Sequence, residues 1–264
     1  MATIVFLHAH PDDESISTGG TIVRAVAEGH RVVLVVGTNG DHGEVPADLA
    51  PGETLVDRRC TETERSCEVL GVHRLVWLGY SDSGMTGWEQ NSHSNAFMNA
   101  DLDEAADRLV AVLDEENADV LVGYDWHGGY GHPDHIMVHR VAHEAVRKRP
   151  GTVLWEATMN RDRVRQRMQA AIAAGMLKEE DMWDVDGPAD DGNPFGSLES
   201  EISLMVDVRE YATTKRASVR CHASQVTDSS FFLNMPDEQF VDSFGWEWFI
   251  RPGDTVPMRE GFIV

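Results

Sequence analysis

Residues 3–14 read TIVFLHAHPDDE. Thr3–Leu7 is a short apolar run of strand type, and it opens directly into histidine, proline and acidic residues. Ser17–Glu28 then shows helical spacing, with Gly29 placed to end it. Arg31–Val36 (RVVLVV) is a second strand. A strand, a helix and a strand in so short a stretch form a βαβ unit, which calls for a parallel strand pair.

The same alternation continues outward. Thr54–Leu70 has helical spacing and stops at Gly71, and Leu75–Leu78 (LVWL) is a third strand. Asp101–Glu116 carries Leu102, Ala105, Ala106, Leu109, Val112 and Leu113 on one stripe. Val120–Tyr124 is a fourth strand, and a helix starts near Pro133. Val153–Trp155 and Leu204–Val208 read as further strands, Arg161–Lys178 as a helix at an edge or in a lid, and Asp184–Ser200 as an irregular loop. The stretch after Ser229 is aromatic-rich and has no assignable period. The expected fold is α/β, a mostly parallel sheet with helices on both faces. One domain spans residues 1–264, with the core in residues 1–160 and a C-terminal elaboration in residues 161–264 that completes the site.

The composition narrows the function. The 264 residues hold 22 Lys+Arg against 45 Asp+Glu, a net charge of −23. Such a chain is a poor partner for nucleic acid or an anionic membrane, because phosphate binding needs a basic surface. With 42% hydrophobic and 25% charged residues it is globular rather than disordered. Cys60, Cys67 and Cys221 are too few and too scattered for a disulfide framework. Cys60 and Cys67 share one face of their helix and read as small buried residues. No basic segment precedes an apolar stretch, and no window approaches the ~18 apolar residues of a membrane span. The expectation is a cytoplasmic enzyme with a small-molecule substrate; the sequence leaves the oligomeric state open.

In a sheet of this kind ligands gather beyond the carboxyl ends of the strands. The loops there hold His8–Glu14, Gly37–His42, Gly79–Gly84 and Asp125–His135, the segments richest in His, Asp and Gly. His10 and Asp13 are three apart across a proline after one strand, and His132 and His135 repeat that spacing after another. Two imidazoles and a carboxylate suit a catalytic Zn²⁺, which takes three protein ligands and keeps a position for water. His10, Asp13 and His135 form such a set, one ion per chain, and iron(II) suits the same ligands. Asp12 is then free to act on the water, whose pKa the metal brings towards ~7. His132 is placed to donate a hydrogen bond to charge developing on a carbonyl oxygen. His30, His73 and His93 read as structural or surface residues. His139 and His143 continue the helix from His135 at spacings of four, with His139 expected to pack or to support the ligands.

These residues resemble the PIG-L / LmbE-like zinc-dependent N-deacetylases. The two signatures are His10-Pro11-Asp12-Asp13-Glu14 and His132-Pro133-Asp134-His135. Arg59 and Glu62, the Gly79-Tyr80-Ser81-Asp82-Ser83-Gly84-Met85 loop, and Lys215 with His222-Ala223-Ser224-Gln225 also match, so the likeness reaches about Gln225. The resemblance implies a Rossmann-like fold and hydrolysis of an N-acyl amino-sugar. It implies zinc on His10, Asp13 and His135, Asp12 as general base, His132 as oxyanion stabiliser, and Tyr130 as a mobile group that polarises the carbonyl. Within the family the chain is similar to two mycothiol-pathway groups, the N-acetylglucosaminyl-inositol deacetylases and the mycothiol S-conjugate amidases. The Asp-Ser-Gly-Met loop leans towards the deacetylases. Trp126-His127 departs from the Pro-Asn usual before the Gly-Gly-Tyr run, which leaves an antibiotic-tailoring or other sugar deacetylase as an alternative.

A polyhydroxylated substrate needs hydrogen-bonding side chains, and Arg59, Asp82, Ser83 and His127 are the candidates. Arg59 could instead pair with Glu62 or Glu64 on its own helix, and His127 could simply cover the site. Three other classes compete. A nucleotide-binding module would carry G-x-G-x-x-G after the first strand, where Gly19-Gly20 comes too late. A phosphoesterase would use two metals and more carboxylates. A structural zinc would be held by thiolates, and no cysteine lies near these loops.

Overall fold

The computed structural model describes every residue except Met176, Asp228 and Phe231. β1 (Thr3–His8) leads into α1 (Asp13–Ser17), α2 (Gly19–Ala27) and β2 (Arg31–Thr38). α3 (Leu55–Leu70), β3 (Arg74–Tyr80), α4 (Leu102–Glu115), β4 (Val120–Tyr124), α5 (Pro133–Lys148) and β5 (Val153–Thr158) carry the alternation on. The remainder adds α6 (Arg161–Ala173), β6 (Leu204–Asp207), α7 (Ala212–Cys221), α8 (Asp237–Phe244), β7 (Trp246–Ile250) and β8 (Arg259–Glu260).

The strands form one sheet in the order β3-β2-β1-β4-β5-β7-β6-β8. β3 to β5 are parallel throughout, with Ile4 of β1 registered between Val32 and Val120. β7 runs antiparallel to both β5 and β6, and β8 runs parallel to β6. The continuous apolar runs explain the central strands. Ile4–Leu7 and Val32–Val36 are fully buried, as strands covered on both faces must be. α2, α3 and α7 pack on one another, and α4 packs on α5, which makes the two helical layers. α4 buries Ala105, Ala106, Leu109, Val112 and Leu113, the stripe its sequence displays.

Several boundaries differ from the sequence reading, β2 and β5 running on to Thr38 and Thr158 among them. The first helix begins at Asp13 rather than Ser17 and breaks at Thr18 into α1 and α2. Tertiary contacts decide this. The side chain of Glu247, from distant β7, accepts the Gly20 and Thr21 amides at 2.9 and 2.8 Å and so caps a new helix start. A Cβ on Gly20 would lie 2.5 Å from Val208, so only glycine permits this approach. β3 runs on to Tyr80, and α6 ends at Ala173 rather than Lys178. The aromatic stretch after Ser229 resolves into α8 and β7, where Glu247 and Phe249 point inward. Among the described residues, no helix is long and apolar enough to cross a membrane.

Candidate active site

β1 lies between β2 and β4, so the chain winds away from it in both directions, and the crevice beyond its carboxyl end is the natural ligand site. His8 and Tyr124 end these two strands and bond each other, His8 Nδ1 to Tyr124 Oη at 2.7 Å. The two proline-containing signatures follow them.

The turn after β1 is tightly held. Asp12 has φ 100°, one of two non-glycine residues with positive φ among the described residues. Such strain persists only where neighbours over-determine it. Here the Asp12 carbonyl accepts the Ser15 and Ile16 amides at 3.0 and 3.1 Å, and its amide donates to Glu14 Oε2 at 3.0 Å. The Asp12 side chain makes no capping bond of its own. It meets Arg59, whose guanidinium donates to Asp12 Oδ2 at 3.2 Å, Pro11 O at 2.6 Å and Gly40 O at 2.8 Å. Arg59 therefore serves Asp12 and not the glutamates of its own helix. Burial pushes the Asp12 carboxyl up to about 6, against the pull of Arg59.

His10, His132 and His135 bring a ring nitrogen each within 4.8 Å of one another, all buried. Their second nitrogens tell them apart. His135 Nδ1 donates to Gly128 O at 3.1 Å, which leaves the Nε2 lone pair facing Asp13 Oδ2 at 3.4 Å. A Cβ on Gly128 would sit 2.1 Å from that of His135, so glycine is required there too. His10 Nε2 donates to Asp134 Oδ2 at 3.1 Å, which turns Nδ1 to the same Asp13 oxygen at 3.4 Å. Asp13 is fixed by the His10 amide at 2.8 Å. His132 is arranged oppositely. It is the N-cap of α5, and its Nδ1 accepts the Asp134 amide at 3.1 Å, so the neutral ring carries its proton on Nε2. Burial, together with His10 and His135 beside it, holds the His132 pKa well down. Burial also opposes the charge on His10, but Asp82, Asp13 and Asp134 outweigh it and raise that pKa strongly.

The remaining expected residues divide. Asp82 Oδ1 lies 3.5 Å from His10 Nε2 and accepts the Gly84 amide. The Tyr130 hydroxyl is 3.5 Å from His135 Nε2. Ser83 has a different place from the expected substrate contact. It is fully buried, with its amide at 2.8 Å and its hydroxyl both on Asp134, so it buttresses His10 through that carboxylate. His127 is also buried, with Nδ1 3.6 Å from Asp191 and Nε2 3.4 Å from Gly196 O, under the irregular loop.

Asp134 is the supporting residue that spacing did not single out, although it lies inside the second signature. Two buried ion pairs also stand behind the site. Glu14 Oε1 accepts from His222 Nε2 at 2.7 Å and Ser66 Oγ at 2.5 Å, tying α1 to α7 and α3. Lys215 Nζ donates to Glu247 Oε1 at 2.6 Å. A cavity of about 580 Å³ opens from Asp12, Asp13, Tyr130 and His135 and runs between the sheet and the C-terminal segments. Its far walls are apolar and aromatic, including Trp183, Phe195, Phe244, Trp246 and Trp248.

Residues 5–146 match the PIG-L family, described as GlcNAc-PI de-N-acetylase, and the chain belongs to that family. The particular relatives are consistent. It is 38% identical over 273 residues to the 1D-myo-inositol 2-acetamido-2-deoxy-alpha-D-glucopyranoside deacetylase of Acidothermus cellulolyticus, covering 98% of this chain and 92% of that one. It is 37% identical over 281 residues to the enzyme of the same name from Nocardioides sp., covering 93% and 90%. The fold is shared with N,N'-diacetylchitobiose deacetylase from Pyrococcus horikoshii, at TM-score 0.61 and 21% identity over 94% of this chain and 82% of that one. The zinc-inhibited form of teicoplanin deacetylase is similar in fold at TM-score 0.60 and 17% identity, covering 96% and 99%.

Proposed function

We propose that this chain is a zinc-dependent N-deacetylase that removes the acetyl group from an N-acetylglucosaminyl-inositol-type amino-sugar. The observation that carries the reading is geometric: His10 Nδ1 and His135 Nε2 each lie 3.4 Å from Asp13 Oδ2, while His132 Nδ1 is taken up by the Asp134 amide, which assigns the His132 N–H to Nε2. That donor set fits one Zn²⁺ per chain, and iron(II) suits it as well. His10, Asp13 and His135 would hold the ion, which would supply Lewis acidity and make water more acidic, towards a pKa of ~7. The three free cysteines suit a reducing, cytoplasmic setting.

Asp12 takes the proton of the attacking water, a general-base role that contributes ~10²–10⁴-fold. His132 Nε2–H donates to the acyl carbonyl oxygen as negative charge builds on it. The Tyr130 hydroxyl, which burial keeps protonated, donates to the same oxygen. Asp12 then passes its proton to the departing amine nitrogen, and acetate and the free amino-sugar leave. Arg59 keeps Asp12 ionised and aimed. Asp82, buried beside His10, is the candidate to accept a sugar hydroxyl. The deacetylase names of relatives at 37–39% identity support the substrate class.

Amine release is the direct test, with N-acetylglucosaminyl-inositol, free N-acetylglucosamine and a mycothiol S-conjugate compared side by side. The reading expects the inositol glycoside to have the highest kcat/KM. A second reading, hydrolysis of S-conjugates or of another N-acyl amino-sugar bearing an apolar group, is favoured by the aromatic cavity walls. A higher kcat/KM for the conjugate would select it. Lack of amine release from all three would remove both.

A further inference from the structure

α5 carries a second group of metal-type side chains beyond the active centre. His139 and His143 lie one turn apart, with ring centroids 4.3 Å from each other. Glu156, on neighbouring β5, faces both. Its Oε1 is 3.0 Å from His139 Nδ1 and 2.7 Å from His143 Nε2. One donor atom from each of the three falls within 4.8 Å of the others. The side chains are partly open to solvent, 21% exposed for His139, 39% for His143 and 10% for Glu156.

We propose that His139, His143 and Glu156 form a second, peripheral site for a divalent transition cation such as Zn²⁺. Two histidines at i, i+4 on one helix face and a carboxylate from an adjacent strand are a two-nitrogen, one-oxygen set. The exposed side leaves a place for water as fourth ligand. Tetrahedral zinc with bonds of about 2.1 Å holds its donors about 3.4 Å apart. The present separations are those of hydrogen bonds, so the ion replaces the bridging protons with side-chain shifts under about 1 Å. Glu156 carries the compensating charge, because the two histidines outweigh burial and keep its carboxyl below the usual range.

The site braces α5 against β5 through Glu156. His139 Nδ1 donates to the carbonyl oxygen of Tyr124 at 3.1 Å, a bond that ligation of an ion through Nδ1 would exchange for the metal, and the Tyr124 ring stacks on His135 at 4.7 Å. A bound ion there links the helix that carries His132 and His135 to the strand beneath it. It is distinct from the active centre, since it shares no ligand with it.

The test is zinc per chain after equilibrium dialysis of the intact protein in a zinc buffer, for wild type, His143→Ala, His135→Ala and the double variant. The proposal expects two, one, one and none. His143 is sufficiently exposed for its alanine variant to keep the fold, which far-UV circular dichroism checks. Cobalt substitution adds a second readout: wild type minus His143→Ala should give a tetrahedral d–d band. Equal zinc in wild type and His143→Ala overturns the proposal. If His143→Ala loses one zinc while His135→Ala loses none, the peripheral site stands and the active-centre ligand set falls.

Discussion

β1 and β4 run side by side, parallel and buried apart from Thr3, while β6 and β7 run antiparallel to each other beyond β5, and β7 meets the cavity with aromatic side chains. The first pair delivers chemistry. The turns after its strands bring His10 and His135 each to 3.4 Å from Asp13. β7 of the second pair delivers a wall. Trp246 and Trp248 alternate with the inward Glu247 and Phe249, so one strand lines a pocket and anchors itself at once. On the proposed function, the contrast assigns reaction and selectivity to separate parts of one sheet, with the buried Lys215–Glu247 pair standing between them.

Predictions that break this division begin with the chemistry. Asp12→Ala should cut kcat by about 10²–10⁴-fold while leaving zinc content unchanged. An undiminished kcat would remove Asp12 as the base. Next is the joint between the halves. Lys215→Met strands Glu247 beneath α2 without its charged partner, and loss of one member of a buried pair costs about 3–5 kcal/mol. Urea unfolding followed by far-UV circular dichroism measures this, and a loss under about 1 kcal/mol would show that the α2 amides alone satisfy Glu247.

The pH profile sharpens the same comparison. Burial raises Asp12 to about 6, and the base must be ionised, so kcat/KM should fall as pH drops through about 6. Arg59 favours the ionised form, so Arg59→Met should move this acid limb to higher pH, with kcat at its plateau changed less than in Asp12→Ala. An unmoved limb would assign it to another group. The smallest effect belongs to the walls. Trp183 is 49% exposed and stacks edge-on with Phe195 at 4.5 Å, so Trp183→Ala should raise KM several-fold with kcat nearly constant. A comparable loss in kcat would mean that the wall also positions the acyl group.

The same division explains what could be read from sequence. The parallel strands were legible because buried strands are unbroken apolar runs, and the ligand candidates because His-Pro-Asp spacing is local. The break between α1 and α2 was not, since Glu247 lies more than two hundred residues from the amides it caps. Ser83 and His127 were readable as polar loop residues, but burial under Asp134 and the 184–200 loop is a tertiary fact. The cavity walls come from an aromatic stretch whose strand alternation is short and flanked by irregular chain. His143 and Glu156 carried no joint signal, because helix spacing reveals the two histidines but not the strand residue opposite them.

The central claim is that His135 offers a lone pair to the metal while His132, its neighbour in the same signature, offers a proton. Zinc content measured on His135→Ala and His132→Ala, each in the His143→Ala background so that only the active centre is counted, tests it most directly. The account predicts no zinc in the first and one zinc per chain in the second, the latter with kcat strongly reduced. Zinc retained by His135→Ala and lost by His132→Ala would contradict it.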